Sequence, residues 1–263
     1  RYYDISLSNV KSYNNKTQLV QTDNTVGTMY YAYVIDNAGN EASSSINIKK
    51  DSVTPTIMVV AKEKNSGDVI ASDSWASEGL NYTFTSTSGV SGFKVYYCKD
   101  TDNTCNPTTL VGSETTLTLT ALNNDVNQTY YLRYKIVSNA GISSSVYSYR
   151  AKVDSVTPTV TMSATRKDNS SAVSSGTWVN TGLNFKLTTS TVGISGAKIY
   201  YCKDTNNTCN PTTEINSGSS ITSYNGLVNN VYYVRYKIVS NSGLSSSGSY
   251  TAKTDTTDPS CYL

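Results

Sequence analysis

The residues with the most chemical potential in this chain are its five cysteines, at positions 98, 105, 202, 209 and 261, in a sequence of 263 residues that contains no histidine. Cys98 and Cys105, like Cys202 and Cys209, are separated by six turn-forming residues that follow a Tyr-Tyr pair. That spacing places both sulfurs across the mouth of a β-hairpin, where a disulfide closes. A disulfide in turn implies an oxidising compartment. Zinc is the competing reading, but two cysteines per repeat without a histidine leave its coordination short. Cys261 stands apart. It occupies the slot two residues after Pro259 that Ile57 and Val160 hold in earlier repeats, so it is expected to point into a core, unpaired in this chain, with its partner in a further segment.

The carboxylates come next. Asp100, Asp102 and Asn103 form an oxygen-rich loop, and Asp51, Asp154 and Asp255 open three similar segments, but hard cations want six to eight oxygens with several carboxylates among them. Asp102 becomes Asn206 in the matching loop and Asp36 becomes Ser138, so Asx-turns are favoured over calcium, and no metal or other cofactor is expected. The acidic positions shared by successive repeats lie in turns, with no converging pair for glycoside chemistry. Absent histidine excludes a Ser-His-Asp or Cys-His nucleophile. Lys135 and Lys237 fall on the outward phase of their strand, which argues against a buried Lys-Asn crosslink. The chain therefore reads as a non-enzyme. Its formal net charge of +2, with no Lys/Arg cluster longer than a pair, leaves no electrostatic footprint for nucleic acid, and without a run of 18 apolar residues no membrane insertion is expected in this segment. Five Asn-x-Ser/Thr sequons, starting at Asn15, Asn81, Asn127, Asn169 and Asn206, are what such a composition yields by itself.

These side chains must be positioned by a repeated scaffold. Asp51-Ser-Val-Thr-Pro55-Thr recurs as Asp154-Ser-Val-Thr-Pro158-Thr and as Asp255-Thr-Thr-Asp-Pro259-Ser, 103 and then 101 residues on. Trp75 matches Trp178, the segment from Tyr96 to Thr109 matches Tyr200 to Thr213, and Arg133–Gly141 matches Arg235–Gly243. The register reaches back to Tyr31–Asn40. The chain thus parses as 1–50, the C-terminal part of a repeat; 51–153 and 154–254, two full repeats; and 255–263, the start of a further one. Residues 1–50 supply later strands only, whose Tyr30, Ala32 and Val34 need a facing sheet.

Within residues 51–153 the apolar residues alternate at Ile57, Val59, Ala61; Leu80, Tyr82, Phe84; Phe93, Val95, Tyr97; Leu117, Leu119; Leu132, Tyr134, Ile136; and Tyr147, Tyr149, Ala151, and a short strand is expected near Leu110. About seven short strands per hundred residues predict an all-β fold of tandem immunoglobulin-like β-sandwich domains, end to end. With 22 tyrosines against three phenylalanines, aromatic packing falls to tyrosine. Tyr97, Tyr134, Tyr201 and Tyr236 are in phase with the core, while Tyr96, Tyr130, Tyr147, Tyr200 and Tyr232 are candidates for exposed, sugar-stacking or subunit-contacting positions.

The Asp-x-x-x-Pro-Thr opening, the tryptophan ahead of the second strand and the Asp36-Asn-Ala-Gly-Asn40 turn resemble the tandem Ig-like repeats of bacterial cell-surface and adhesin proteins. The resemblance covers essentially the whole chain and rests on turn and packing motifs. It implies an extracellular, cell-surface structural protein, a rigid stalk or a surface fibre. The alternatives are adhesive modules gripping a glycan or host protein, or modules of a phage virion protein. Partners are then neighbouring repeats or identical chains.

Non-reducing peptide mass spectrometry is expected to find Cys98 joined to Cys105 and Cys202 joined to Cys209. Free thiols at all four positions would remove the hairpin bridges and the oxidising compartment together.

Overall fold

The computed structural model describes residues 2–3, 10–11, 22–221 and 229–261, and among these every regular element is a β-strand. Alternation of apolar and polar residues with a period of two dictates this, because successive side chains of a strand point to opposite faces. The N-terminal sheet holds β1 (Tyr2–Tyr3), β2 (Val10–Lys11), β3 (Asn24–Ile35) and β4 (Glu41–Lys50) in the order β2-β1-β3-β4. Ile46 on β4 is 62% exposed and Val26 on β3 is 80% exposed, so this face carries apolar groups uncovered by the described residues. The side chain of Val34 lies outside the described set.

The middle repeat contributes β5 (Thr56–Glu63), β6 (Val69–Ile70), β7 (Trp75–Ala76), β8 (Leu80–Thr87), β9 (Phe93–Asp100), β10 (Thr109–Gly112), β11 (Thr116–Leu119), β12 (Gln128–Ser138) and β13 (Tyr147–Val153). The C-terminal repeat contributes β14 (Thr159–Arg166), β15 (Ala172–Val173), β16 (Trp178–Val179), β17 (Leu183–Thr191), β18 (Ala197–Asp204), β19 (Thr213–Ile215), β20 (Ser220–Ile221), β21 (Asn230–Ser240) and β22 (Ser245–Thr254). Among the described residues the middle repeat has seven longer strands and two dipeptide strands, and the C-terminal repeat six longer strands and three dipeptide strands. The two repeats share one topology: sheet orders β11-β8-β5-β6 and β10-β9-β12-β13-β7 in the first become β20-β17-β14-β15 and β19-β18-β21-β22-β16 in the second. This is the antiparallel immunoglobulin-like sandwich. One parallel contact recurs in each, Trp75 and Ala76 beside Lys152 and Val153, and Trp178 and Val179 beside Lys253 and Thr254.

Aromatic edges join the sheets. In the middle repeat Tyr82 meets Tyr149 at 5.5 Å and Phe84 meets Tyr134 at 5.3 Å, both edge to face. In the C-terminal repeat Phe185 meets Tyr250 at 5.4 Å and Tyr232 at 6.2 Å. Such pairs add to the area they bury. Tyr130 and Tyr232, expected among the exposed candidates, are instead 1% and 2% exposed. The hydroxyl explains how tyrosine can be buried here, since Tyr82 and Tyr130 share a hydrogen bond of 2.9 Å between their phenol oxygens. The tryptophans go the other way. Trp178 is 57% exposed, and Lys152 and Lys253 lie over the rings of Trp75 and Trp178 at 5.2 and 5.8 Å, a cation–π contact on the surface in place of a core anchor.

Backbone contacts gather the described residues into two compact units. One takes the residues up to Val60 with Tyr82–Leu119 and Tyr130–Tyr149. The other takes Ala61–Asn81, Thr120–Thr129 and the residues from Arg150 onward. Each unit has one Asp-Ser-Val-Thr-Pro segment inside it.

Leu132, fully buried on β12, should be intolerant of truncation. Leu132→Ala is expected to destabilise the middle repeat by about 2–5 kcal/mol in chemical denaturation, the range for a leucine deleted from a closed core, whereas Thr118→Ala on the exposed phase of β11 should stay within about 0.5 kcal/mol.

Candidate functional site

The disulfide-closed hairpin is built identically twice. Sulfurs of Cys98 and Cys105 are bonded at 2.09 Å with Cα atoms 6.2 Å apart, and those of Cys202 and Cys209 at 2.12 Å with Cα atoms 6.1 Å apart. An aspartate organises each loop from within. Asp100 accepts the amides of Asn103, Thr104 and Cys105 at 3.0, 2.7 and 2.7 Å and the Thr104 hydroxyl at 3.1 Å. Asp204 does the same for Asn207, Thr208 and Cys209 at 3.0, 2.7 and 2.8 Å, with the Thr208 hydroxyl at 3.1 Å. Partial burial works against the charge of both carboxylates, but these donors outweigh it and hold both pKa values below the ordinary aspartate value. The oxygens are thereby spent on the loop's own amides. Asn103 and Asn207 turn the chain with φ of 59° and 57°, left-handed values that asparagine tolerates.

Each hairpin is backed by a basic strand. Arg133 lies opposite Cys98 and Lys135 opposite Tyr96, and in the next repeat Arg235 lies opposite Cys202 and Lys237 opposite Tyr200. The guanidinium donates to the carbonyl just at the end of the disulfide loop, Arg133 to Cys105 at 2.6 Å and Arg235 to Cys209 at 2.8 Å. In the middle repeat Lys135 also donates to Asn106 Oδ1 at 3.3 Å. In the C-terminal repeat Lys237 sits over the Tyr200 ring at 5.5 Å instead, and an open cleft of about 400 Å³ lies between the hairpin and β22.

The linker aspartates hold a second repeated constellation. Asp51 accepts the Ser91 amide at 2.8 Å, the Ser91 hydroxyl at 2.5 Å and the Val53 amide at 3.1 Å. Asp154 accepts the Ser195 amide at 2.8 Å and the Val156 amide at 3.1 Å. Glycine precedes each serine by two residues for a steric reason: a Cβ on Gly89 or Gly193 would stand 2.0 Å from Oδ1 of Asp51 or Asp154. Asn139 and Asn241 complete the group by donating to the carbonyls of Ser91 and Ser195 at 2.7 and 2.5 Å. The residue after each linker aspartate is gripped from the preceding repeat. Ser52 bonds Asp23 through its amide at 3.0 Å and its hydroxyl at 2.9 Å; Ser155 bonds Asn127 at 2.8 and 3.0 Å; Thr256 bonds Asn229 at 2.5 and 3.0 Å.

Sequence inspection did not find these partners. The Gly89-Val-Ser-Gly92 and Gly193-Ile-Ser-Gly196 duplicates carried the signal, but their meeting with the linker depends on loops about forty residues away in sequence. Glu63 was also missed. It is 7% exposed, with Oε1 accepting the Ser77 amide at 2.6 Å and Oε2 the Ser66 hydroxyl at 2.8 Å, and its counterpart Arg166 instead pairs with Asp168 at 2.9 Å. Cys261 is exposed with a free thiol. Residues 255–261 form no strand. Among the described residues no three His, Cys, Asp or Glu side chains converge in a metal-binding group, and none forms a helix long and apolar enough to cross a membrane.

No family model and no curated protein sequence matches the chain. Among solved structures it is similar to the fibronectin(III)-like modules of Clostridium thermocellum CbhA, with 17% identity over 78% of this chain and 99% of that one and a TM-score of 0.32. It is also similar to the human desmocollin-1 ectodomain, with 14% identity over 90% of this chain and 45% of that one and a TM-score of 0.26. A third likeness is to extracellular cadherin domains 1–4 of protocadherin gamma B7, at 13% identity, 86% and 56% coverage and a TM-score of 0.26. The chain spans about half the length of these two cadherin-type chains.

Burial raises the pKa of Asp154, but the Ser195 hydroxyl and amide and the Val156 amide more than offset it and leave the carboxylate below its ordinary value of 3.8. A lowered carboxylate pKa contributes stability that is complete above the unfolded value and lost as pH falls through the folded one. Asp154→Asn is therefore expected to lower the thermal midpoint of the C-terminal repeat by several degrees at pH 7, the gap to the unaltered chain narrowing as pH falls through the folded value, which lies below 3.8. A gap unchanged down to pH 2 would show that the charge contributes nothing.

Proposed function

We propose that this chain is a non-enzymatic extracellular structural protein, in which Ig-like modules 51–153 and 154–254 act as a stiff spacer or stalk at a bacterial surface, with 1–50 and 255–263 belonging to flanking modules. The observation that carries the reading is the joint. At 51–52 and 154–155 the aspartate is capped by the loop of the module that follows, while the next residue is bonded by the module that precedes. A linker bonded from the modules on both sides is what a tandem spacer requires and a solitary binding domain does not. Pro55 and Pro158 add to it by restricting the residue before them to extended conformations. The two hairpin disulfides support an oxidising, extracellular setting. Adjacent modules of the same array, or identical chains, are the partners this role calls for.

Small-angle X-ray scattering of residues 1–263 tests it. The expected profile is that of an elongated, stiff particle, each module adding roughly 35 Å from strands of about ten residues, and a variant combining Ser155→Ala with Asn127→Gly should broaden the distance distribution without loss of folded content. A compact profile, or one indifferent to the joint variant, would overturn the spacer reading.

A further inference from the structure

The two repeats carry the same hairpin and the same basic strand but differ in what stands beside them, and in the second an open cleft lies there. The cause lies in one residue. From Asn139 to Tyr149 the middle repeat reads Asn-Ala-Gly-Ile-Ser-Ser-Ser-Val-Tyr-Ser-Tyr, whereas from Asn241 to Tyr250 the C-terminal repeat reads Asn-Ser-Gly-Leu-Ser-Ser-Ser-Gly-Ser-Tyr. Val146 and Tyr147 are replaced by the single Gly248. The extra residue delays the last strand of the middle repeat to Tyr147, and Tyr147 stacks on Tyr134 at 5.8 Å. Without it, β22 starts at Ser245 and pairs with β21 without a break, Ser247 opposite Lys237 and Ser249 opposite Arg235. Gly248 is held to glycine on the other face, because a Cβ there would stand 2.5 Å from the Tyr236 hydroxyl.

Period-two alternation then places Arg235, Lys237, Ser247 and Ser249 on one outward face, with Asn207, Asn210 and Pro211 of the disulfide loop rising beside them, and these residues line the cleft. Its volume of about 400 Å³ is at the small end of small-molecule sites, about 300–1,000 Å³. Its chemistry is specific. Arg235 spends one nitrogen on Cys209, and among the described residues neither Arg235 nor Lys237 has a carboxylate partner. Two acids of the same sheet are engaged elsewhere: Glu214 pairs with Lys198 at 3.1 Å and Asp204 caps its own loop. The Asn210 and Lys237 counterparts bond each other in the middle repeat, at 3.3 Å, but not here. Pro211 and Tyr236 supply the apolar part of a lining that is otherwise polar.

We infer that this cleft binds a carboxylate-bearing sugar, with the carboxylate bridging Arg235 and Lys237. The ring hydroxyls are taken by the side chains of Asn207, Asn210, Ser247 and Ser249, which between them both donate and accept. Two cations two residues apart on one strand face suit one carboxylate, since guanidinium and ammonium groups bond oxyanions with charge assistance. Amides, hydroxyls and two cations make most of the lining, with Tyr236 and Pro211 as its apolar part, a balance that suits a polar ring more than a lipid chain. The site lies within the C-terminal repeat and does not rest on the spacer reading, which stands or falls with the joints.

Amide and side-chain NMR of the full 263-residue chain, titrated in low salt with galacturonate and N-acetylneuraminate, tests the inference against galactose, acetate and inorganic phosphate. Both acidic sugars are expected to shift the resonances of Asn207, Asn210, Arg235 and Lys237 in the C-terminal repeat, while the matching residues of the middle repeat stay still. Lys237→Gln should weaken binding at least about tenfold, the loss of one charge-assisted bond. Ser247→Asp, which keeps the lysine but sets a carboxylate opposite it, should do the same with the remaining spectrum unchanged. Equal binding of acetate or phosphate would reduce the cleft to a bare anion site and overturn the sugar assignment. Binding of galactose as tight as galacturonate, equal shifts in both repeats, or no shift with any probe at 20-fold excess or more would overturn the proposal outright.

Discussion

The architecture depends on a carboxylate held where the chain passes from one sandwich to the next. A buried charge is costly unless every oxygen finds a donor. Asp154 is fully buried and is supplied by Ser195 and Val156, and Asp51 by Ser91 and Val53. That requirement propagates. It demands glycine at 89 and 193 to let the carboxylate approach, serine at 91 and 195 to donate, and an asparagine at 139 and 241 to hold the serine's carbonyl. The linker is thus a part of the fold. Asn127 and Asn229, both with positive φ, complete it from the preceding side.

The disulfide hairpin obeys the same logic at the edge of the sheet. Cross-linking so short a loop stabilises by about 2–3 kcal/mol in the chain-entropy account, and Asp100 or Asp204 then fixes the loop by consuming its amides. What is left over is the outward face of the neighbouring strand. There an arginine is tied to the loop's carbonyl and a lysine one step further on is free to choose its partner. The duplicated modules diverge at this point: Lys135 meets Asn106, and Lys237 meets the Tyr200 ring beside an open cleft. A conserved frame with a variable contact beside it is how one module acquires a surface its twin does not have.

Tyrosine as the principal aromatic has a physical consequence as well. A tyrosine core must find partners for its hydroxyls, and it does so by pairing Tyr82 with Tyr130 and by sending the Tyr250 hydroxyl to the Val173 carbonyl at 2.7 Å. Removal of these phenols from water pushes Tyr134 and Tyr232 up to about 12 and keeps them neutral. Where the second repeat has Phe185 in place of Tyr82, ring edges alone meet Tyr232. The two cores reach the same packing by different balances of polar and apolar contact.

The sequence by itself determined the all-β class, the repeat period, the strand alternation and the pairing of cysteines across a hairpin, because each of these is local: a period of two, a turn composition, a short span between sulfurs. Ile57, Ala61, Leu80, Tyr82, Leu132 and Ile136 are buried where alternation placed them. Tyr130 and Tyr232 were misjudged because a strand's phase does not say how far the opposing sheet reaches over its first residues. The linker clamp, the burial of Glu63 and the cleft over β21 were decided by tertiary structure alone. Each joins residues well separated in the chain, and closing such distances depends on the registration of whole sheets, which no local pattern encodes.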